Sequence, residues 1–305
     1  MASIGFVGLG AMGGRLAGRL LASGEEVHGY NRNRARAAEL IDRGLVWHDT
    51  PRELAAASDI TFTMVSDDEA LDAVSSGPDG LIAGLSAGKV HVDMSTVSPG
   101  LSVELATRVR ASGAAMLDAP VSGSVPQAES GTLTIMVGGE DRAYARVEPV
   151  LAKLGSKVVH VGGNGKGLIL KLAINISLAS QLVAFSEGLV LAQRADINPR
   201  LAAEVMSESP IGSTMLRARL PLILELPEQA WFDVALLHKD VRLALAAGQA
   251  LGTELPSAHV ADAIFTAAER LGYAHRDVAA VHEVLDLHAG ELAAASDARE
   301  LVASV

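Results

Sequence analysis

The most constraining feature of the sequence is a group of three glycines close to its beginning. Residues 4–13 read I-G-F-V-G-L-G-A-M-G, so Gly8, Gly10 and Gly13 follow a short apolar run and open a helical pattern. In a strand–turn–helix unit, this spacing gives a tight turn, a close approach of backbone N–H groups to a diphosphate, and close packing of helix on strand. The segment therefore predicts a dinucleotide-binding βαβ unit.

Strand-like runs alternate with helical patterns, such as Met12–Ser23 and Arg34–Arg43, through the first half of the chain. This alternation is typical of a mostly parallel, doubly wound α/β sheet, the Rossmann fold, and we predict such a domain over residues 1–165. The runs that we assign to strands are Ile4–Val7, Glu26–Tyr30, Ile60–Val65, Val90–Met94, Ala115–Ala119, Leu133–Val137 and Lys157–Val161.

The pattern changes after the glycine-rich segment that ends at Gly165. Residues 166–194 contain no proline and few turn residues, which predicts one long helix that joins two domains. The rest of the chain, 195–305, is rich in alanine and leucine at helical spacing and has no convincing strand. We therefore predict an all-helical second domain.

Composition excludes several classes of function. The net charge of −11 argues against non-specific nucleic-acid binding, and the absence of cysteine excludes disulfides and thiolate chemistry. The nine histidines form no metal site, since the segment that begins at His282 lacks the second histidine of H-E-x-x-H. The N-terminus does not resemble a signal peptide, and the uncharged stretch 172–186 is too short for a membrane span. We expect a soluble, cytoplasmic protein.

The residues after the second predicted strand indicate which dinucleotide is bound. An NAD-preferring site usually carries an acidic residue there, but this chain has none between Val27 and Ala38. An arginine can instead bind a 2′-phosphate. We therefore expect NADP(H) to be preferred, with NAD(H) as the alternative, and Asn31 and Arg32 as the main contacts of the 2′-phosphate.

The remaining cofactor contacts are expected from the glycine loop and the end of the third strand. The pyrophosphate should lie at the N-terminus of the first helix, where N–H groups without partners and the helix dipole favour an anion. The residues concerned are Gly8, Leu9, Gly10, Ala11, Met12, Gly13, Met64, Val65 and Ser66.

Three further segments extend the pattern along the chain. Residues 93–96 read DMST, residues 118–139 read DAPVSGSVPQAESGTLTIMVGG, and residues 162–175 read GGNGKGLILKLAIN. With the N-terminal glycines and the later Lys239-Asp240, they resemble the β-hydroxyacid dehydrogenases, which include 3-hydroxyisobutyrate dehydrogenase, tartronate semialdehyde reductase and glyoxylate/succinic semialdehyde reductase. The resemblance implies a Rossmann domain, a helical domain and an active site in the cleft between them.

The resemblance places the family's catalytic lysine at Lys171. Exchange of an alcohol and a carbonyl by hydride transfer also requires one proton to move at the oxygen, which a lysine can donate or accept. Gly167, Lys171 and Asn175 are four residues apart and share one helix face. We expect the missing side chain at Gly167 to leave room for a ligand, and Asn175 to orient the lysine or the substrate oxygen.

The loop after the predicted strand 115–119 is the expected substrate site. In the resembling family, this loop holds the substrate carboxylate, which assigns that role to Ser122 and Gly123. The family usually has a second glycine where this chain has Ser124, and the extra Cβ and hydroxyl predict a narrower pocket or a different substrate. Thr96, at the end of another strand, would contact the nicotinamide ribose or the substrate.

The second domain is expected to contribute three more residues. Lys239 matches the family's cofactor-contacting lysine, and Asp240 could orient either Lys239 or Lys171. Phe232 would either line the substrate pocket or belong to the core.

These features predict reversible hydride transfer between NADP(H) and a small 3-hydroxy acid or its semialdehyde, in a homodimer or homotetramer. An imine reductase has the same architecture but usually carries Asp or Tyr in place of Lys171. A non-catalytic NADP-binding protein is the other alternative. We exclude 6-phosphogluconate dehydrogenase, because Ala173-Ile174-Asn175 lacks its His-Asn pair.

Overall fold

A computed structural model describes residues 2–288 of the chain. The chain divides into two compact units, the N-terminal unit Met1–Lys171 and the C-terminal unit Leu172–Val305. The boundary lies within the long helix Lys166–Arg194. Residues 289–305, the end of the predicted helical domain, lie outside the described residues.

The N-terminal unit is built on a mostly parallel sheet with the strand order β3-β2-β1-β4-β5-β6-β8-β7, and β9 pairs with β8. Pairing is parallel from β3 to β6, antiparallel where β8 meets β6 and β7, and parallel again between β8 and β9. The Rossmann-type sheet is thus confirmed. Its strands are β1 Ile4–Val7, β2 Val27–Tyr30, β3 Val46–Trp47, β4 Ile60–Thr63, β5 Val90–Asp93, β6 Ala115–Asp118, β7 Val121–Ser122, β8 Leu133–Gly139 and β9 Gly155–Gly162.

Helices cover both faces of this sheet. On one face Leu16 and Leu20 of α1 are buried with Phe6 and Phe62, whose rings stack at 5.7 Å, and on the other Leu105 is buried. Strands enclosed on both faces are made mostly of apolar residues, which is why the sequence reveals most of them. The helices are α1 Ala11–Ala22, α2 Ala38–Asp42, α3 Pro51–Ala57, α4 Asp68–Ser75, α5 Leu81–Gly84, α6 Pro99–Ala111, α7 Val125–Ser130 and α8 Asp141–Leu151, with a 3₁₀ turn Arg34–Ala37 before α2.

The central strands end in a common row. Val7 of β1 pairs with Thr63 of β4, which pairs with Asp93 of β5, which pairs with Asp118 of β6. The loops that follow these strands therefore leave the sheet at the same carboxyl edge, where open α/β sheets bind their ligands.

Helix α9 (Lys166–Arg194) begins in the N-terminal unit and continues into the other, which confirms the long helix predicted from the sequence. It has a window with a mean hydropathy of 1.8, and 39% of that window is buried. By length and composition alone it could cross a membrane, so the whole helix is longer and more apolar than the stretch 172–186 suggests. This is weak evidence, because the core helix of a soluble protein meets the same criteria.

The described part of the C-terminal unit is helical, as predicted. Its elements after α9 are α10 Pro199–Glu208, α11 Thr214–Leu224, α12 Val234–Ala250, α13 Pro256–Arg270 and α14 Val281–Leu287, and up to residue 288 the only strand-like pairing is an isolated bridge between Asp233 and Asp277. Leucine, valine and alanine fill a core around Phe185 and Phe265. Asn198, Ser213 and Asp233 cap α10, α11 and α12 through their side chains.

Candidate active site

The three N-terminal glycines lie in a close-packed loop at the carboxyl edge of the sheet. Gly8 has φ +93°, and a Cβ there would lie 2.3 Å from the carbonyl oxygen of Met64. A Cβ on Gly13 would lie 1.9 Å from the carbonyl oxygen of Gly8. A Cβ on Gly10 would meet nothing within 4 Å. Two of the glycines thus permit close packing, and Gly10 faces open space.

The N-terminus of α1 fits the pyrophosphate of a dinucleotide. Gly10 is its N-cap residue, no side chain within residues 2–288 forms a capping bond there, and the first turn carries no acidic residue. The first N–H groups of a helix lack partners within the helix and carry a partial positive charge. Open space over Gly10 gives an anion access to these groups.

Asn31, predicted to contact a 2′-phosphate, fixes the glycine loop to the end of β2. Its Oδ1 accepts the N–H of Leu9 at 3.0 Å, and its Nδ2 donates to the carbonyl of Asn33 at 2.9 Å. Arg32 follows it and is exposed. The structure therefore gives Asn31 a local structural role and leaves Arg32 at the surface, and their contacts with a 2′-phosphate stay predictions.

A cavity of about 530 Å³ begins at the glycine loop and extends along α1. Several of its charged groups bind the protein itself: Arg15 contacts Glu129 at 2.7 Å, and Arg43 donates to the carbonyl of Gly18 at 3.0 Å. The cavity places positive charge beside the glycine loop. It is lined by Leu9, Gly10, Gly14, Arg15, Gly18, Arg19, Ala22, Arg36, Glu39, Leu40, Arg43 and Glu129.

A buried hydrogen-bond network joins the ends of β4 and β5. The hydroxyls of Thr63 and Ser95 each donate to Oδ1 of Asp93 at 2.7 Å, and Ser95 Oγ accepts the N–H of Val65 at 2.9 Å. Because the hydroxyl hydrogen of Thr63 is used, Nε2 of His91, at 3.0 Å, must donate to it. Sequence reasoning gave Thr63, His91, Asp93 and Ser95 no role.

Burial sets the charge of this network. Burial lowers the pKa of His91 to about 3, so its ring is neutral. Burial raises the pKa of Asp93 to about 6, against the hydrogen bonds of Thr63 and Ser95, and the charge of Asp118 raises it further. The network is bonded to Val65 in the predicted cofactor loop after β4, and it contains a carboxyl group with a pKa of about 6.

The other predicted cofactor contacts of the N-terminal unit lie at the same edge of the sheet. The N–H of Met64 donates to the carbonyl of Val7 at 2.9 Å, and the hydroxyl of Ser66 donates to Oδ2 of Asp67 at 2.7 Å. Thr96 is partly exposed just after β5. Their contacts with a cofactor stay predictions.

The predicted substrate loop leaves β7 at Ser122. Gly123 has φ +132°, and a Cβ there would lie 2.6 Å from the side chain of Leu133. Ser124 is the N-cap of α7, where it forms a capping box with Gln127, whose Oε1 accepts the Ser124 N–H at 2.9 Å. The serine that departs from the family pattern therefore has a local structural use, and its effect on a substrate stays a prediction.

The structure corrects the expectation about Gly167. A Cβ at this position would lie 2.4 Å from the carbonyl oxygen of Met136 and 2.8 Å from Oδ2 of Asp118. The glycine therefore allows α9 to pack on the strands and leaves no room for a ligand. Lys171, four residues later, is partly exposed in the second turn of α9.

Asp118, which the sequence analysis assigned no role, binds the start of the helix that carries Lys171. Its Oδ1 accepts the N–H of Gly165 at 2.7 Å, and its Oδ2 accepts the N–H of Leu168 at 3.1 Å. Burial raises the pKa of Asp118, and the bonds from the backbone of Gly165 and Leu168 oppose that rise.

In the C-terminal unit, the structure identifies a partner of Asp240. Its Oδ1 forms an ion pair with Nζ of Lys239 at 2.9 Å, and its Oδ2 accepts from Nδ2 of Asn175 at 2.6 Å. Of the two lysines considered from the sequence, Lys239 is thus paired with Asp240. Asn175 is 1% exposed, and its Oδ1 has no hydrogen-bond partner among residues 2–288, so this acceptor is buried and unsatisfied.

Phe232 packs partly buried against the core of the C-terminal unit. Its N–H and that of Trp231 donate to Oδ2 of Asp277, at 3.3 and 2.9 Å, and Arg219 donates to Oδ1 at 2.6 Å. The buried pair of Arg219 and Asp277 thus fixes the segment that carries Phe232. No local motif marked this pair.

The part of the chain that the structure describes contains no group of three or more His, Cys, Asp or Glu side chains that could hold a metal ion.

Two family models match successive parts of the chain. The NAD-binding domain of 6-phosphogluconate dehydrogenase matches residues 3–162. The NAD-binding domain of NADP-dependent 3-hydroxyisobutyrate dehydrogenase matches residues 165–285. Together they cover both units.

Individual proteins match over almost the whole chain. The 2-hydroxy-3-oxopropionate reductase of Escherichia coli (strain K12) is 35% identical over 94% of this chain and 98% of its own. The chloroplastic glyoxylate/succinic semialdehyde reductase 2 of Arabidopsis thaliana is 33% identical over 93% of this chain and 79% of its own. The solved structure of Psf3 in complex with NADP⁺ and 2-OPP has a TM-score of 0.85 and 28% identity, over 92% of this chain and 99% of that one.

Proposed function

The chain belongs to the β-hydroxyacid dehydrogenase family and is an NAD(P)-dependent oxidoreductase, and from this premise we propose that it transfers hydride between NADP(H) and a small 3-hydroxy acid or its semialdehyde. One observation carries the proposal. The start of the helix that bears Lys171 is hydrogen-bonded to Asp118, which lies on the same carboxyl edge of the sheet as the glycine loop after Val7. A proton-transferring group and a nicotinamide site are both expected at this edge.

The glycine loop is proposed to hold the cofactor. The N–H groups at the start of α1, over Gly10, would bind the pyrophosphate, and Arg32 would bind the 2′-phosphate. The arginines of the cavity beside the loop and the absence of an acid between Val27 and Ala38 support NADP(H) over NAD(H). When bound, NADPH supplies a hydride to the carbonyl carbon of the substrate, and NADP⁺ accepts one in the reverse reaction.

Lys171 is proposed to move the accompanying proton. In reduction its ammonium group donates a proton to the carbonyl oxygen, and in oxidation its amine accepts the proton of the hydroxyl. Ser122 and Gly123 would bind the substrate carboxylate through the hydroxyl and N–H groups. Oδ1 of Asn175, buried and without a partner among residues 2–288, would accept a hydrogen bond from the substrate hydroxyl.

Lys239 is proposed to contact the cofactor from the C-terminal unit. Its ion pair with Asp240, which Asn175 also binds, limits the positions that the ammonium group can take. Asp240 therefore serves to orient Lys239 and Asn175.

The names of the relatives support the proposed class of substrate. The names of two relatives specify reduction of glyoxylate, succinic semialdehyde and 2-hydroxy-3-oxopropionate. All three are small carbonyl compounds with a carboxyl group. The proposed assembly is a homodimer or homotetramer in the cytoplasm. Exposed apolar side chains of the C-terminal unit, among them Leu191, Leu201 and Val205, support self-association.

The test is a panel of glyoxylate, succinic semialdehyde, 2-hydroxy-3-oxopropionate and 3-hydroxyisobutyrate, assayed with NADP(H), for wild type and Lys171→Ala. We expect Lys171→Ala to lower kcat by about 10²–10⁴-fold, as for loss of a general acid, and to leave the Kd for NADPH within about twofold. The matched control is Lys166→Ala, one turn earlier on the same helix and exposed, which should keep wild-type rates.

Retained turnover in Lys171→Ala would refute the catalytic assignment. Reduction of the cyclic imine 2-methyl-1-pyrroline by a wild-type enzyme that turns over none of the panel would identify an imine reductase. NADPH binding with no turnover of either class would identify a non-catalytic protein.

A further inference from the structure

A single carboxylate joins the strand that leads to the substrate loop to the helix that bears Lys171. Asp118 is the last residue of β6, four residues before Ser122. One of its oxygens binds the N–H of Gly165 and the other binds the N–H of Leu168, three residues before Lys171. The first N–H groups of a helix need acceptors from outside it, and a carboxylate satisfies them while its charge interacts favourably with the helix dipole.

The carboxylate is enclosed closely on two sides. A Cβ on Gly138 would lie 2.6 Å from Oδ1, and a Cβ on Gly167 would lie 2.8 Å from Oδ2. Both positions are glycine, so β8 and the first turn of α9 can each approach the Asp118 carboxylate closely. The side chain is fully buried. The hydrogen bonds from Gly165 and Leu168 connect the first turn of α9 to the end of β6.

From this geometry, and resting on the proposed role of Lys171, we infer that Asp118 is a positioning residue that sets Lys171 relative to the Ser122–Gly123 loop. Its backbone leads into that loop, and its side chain holds the turn that precedes the lysine. A displacement of about 1 Å in a reacting group can cost on the order of 10²-fold in rate. A carboxylate that fixes both elements therefore acts on kcat more than on binding.

The cost of burying this group supports the inference. Burial raises the pKa of Asp118, which means that the fold disfavours its charged form. A neutral side chain such as asparagine would avoid that cost but could accept only through one oxygen. The second oxygen is the feature that ties down both Gly165 and Leu168.

The experiment compares Asp118→Asn and Asp118→Ala with wild type, using whichever compound of the panel above gives the highest kcat/KM with NADPH. Asparagine keeps one acceptor and alanine keeps none. We expect kcat to fall by about tenfold in Asp118→Asn and about 100-fold in Asp118→Ala, while KM and the Kd for NADPH stay within about threefold.

Two further variants separate positioning from general destabilisation. Leu54→Ala removes a buried side chain elsewhere in the N-terminal unit and should lower the melting temperature while it leaves kcat within about twofold. Asp118→Asn combined with Lys171→Ala should lower the rate no further than Lys171→Ala alone, because Asp118 acts through the lysine.

Wild-type kcat in Asp118→Ala, or equal losses of kcat in Asp118→Asn and in a Leu54→Ala protein of the same melting temperature, would overturn the inference. If Asp118→Ala does not fold, the nearly isosteric Asp118→Asn carries the test. Retained turnover in Lys171→Ala refutes the proposed function instead. Loss of turnover in Lys171→Ala with normal kcat in both Asp118 variants refutes only this inference.

Discussion

The two units stabilise their buried carboxylates in different ways. In the N-terminal unit, Asp93 accepts hydrogen bonds from hydroxyl and N–H groups, and Asp118 accepts them from backbone N–H groups. In the C-terminal unit, Asp240 and Asp277 each face a cationic side chain as well. Neutral donors compensate a buried charge less completely than a cation does. Burial accordingly raises the pKa of both Asp93 and Asp118.

The difference suits what each unit has to do. A dinucleotide site needs backbone N–H groups at strand and helix ends, so its carboxylates bind backbone and hydroxyl groups near those ends. In the helical unit, the buried pair of Arg219 and Asp277 instead connects two segments that are far apart in the chain. We therefore expect removal of a cationic partner to lower the free energy of unfolding in the C-terminal unit. In the N-terminal unit, we expect a change of pH to lower it.

The largest expected effect is that of Arg219→Met. The variant leaves Asp277 buried without its cation, which typically costs about 3–5 kcal/mol in the free energy of unfolding. Urea unfolding can be followed in a Trp47→Phe background, where Trp231, whose N–H binds Asp277, is the only tryptophan left. We expect a lower urea midpoint.

The matched control for that variant is Arg242→Met in the same unit. Arg242 pairs with Asp262 but has a side chain that is 58% exposed, and exposed ion pairs contribute about 1 kcal/mol or less. Equal shifts of the urea midpoint in Arg219→Met and Arg242→Met would show that the buried pair contributes no more to stability than the exposed pair.

The second prediction concerns the pH dependence of unfolding in Asp93→Asn. Burial gives Asp93 a pKa of about 6 in the folded protein, against an ordinary pKa of 3.8 for an aspartate in the unfolded chain. Below pH 3.8 the Asp93 carboxyl is protonated in both the folded and the unfolded protein, and its contribution to the free energy of unfolding is at its maximum. Between 3.8 and 6 the unfolded chain loses its proton first, so the contribution falls as pH rises. At 1.36 kcal/mol per pKa unit, the total loss is about 3 kcal/mol.

The measurement is the difference in unfolding free energy between wild type and Asp93→Asn from pH 4 to 7.5, followed through Trp47 in a Trp231→Phe background. His91 acts in the opposite direction, because its lowered pKa makes stability fall as pH falls, and the difference between variants cancels it. Asp79→Asn, at an exposed position, is the control. A pH-independent difference would mean that Asp93 keeps an ordinary pKa.

The same contrast explains how much the sequence could predict. The glycine loop was predictable because its function depends on the backbone of one short segment, where Gly8, Gly10 and Gly13 have fixed spacing. Most of the strands were predictable because burial on both faces makes them largely apolar, but two were missed. β3 and β7 are two residues each, too short to form a pattern.

Pairings between distant side chains were not predictable. Asn175 and Asp240 are 65 residues apart, and Arg219 and Asp277 are 58 apart, so no local spacing reveals them. Gly167 was misinterpreted for a related reason. The absence of its side chain could be read from the sequence, but the carbonyl of Met136 that occupies the space belongs to strand β8, about 30 residues earlier in the chain.

The smallest expected effect concerns Arg32, an exposed arginine of the N-terminal unit. It distinguishes a contribution to cofactor binding from a contribution to stability. Arg32 is exposed, so Arg32→Ser should leave the urea midpoint unchanged, in contrast to Arg219→Met. Loss of a hydrogen bond to a charged group costs about 1.5–3 kcal/mol, or about 10–100-fold in Kd. The Kd for NADPH should rise by that factor and the Kd for NADH should not change, because NADH lacks the 2′-phosphate.

Arg110→Ser, at an exposed pair with Glu140, is the control. A wild-type protein that binds NADH more tightly than NADPH would contradict the proposed preference, whereas equal losses for both cofactors in Arg32→Ser would assign Arg32 to a part that NADH and NADPH share.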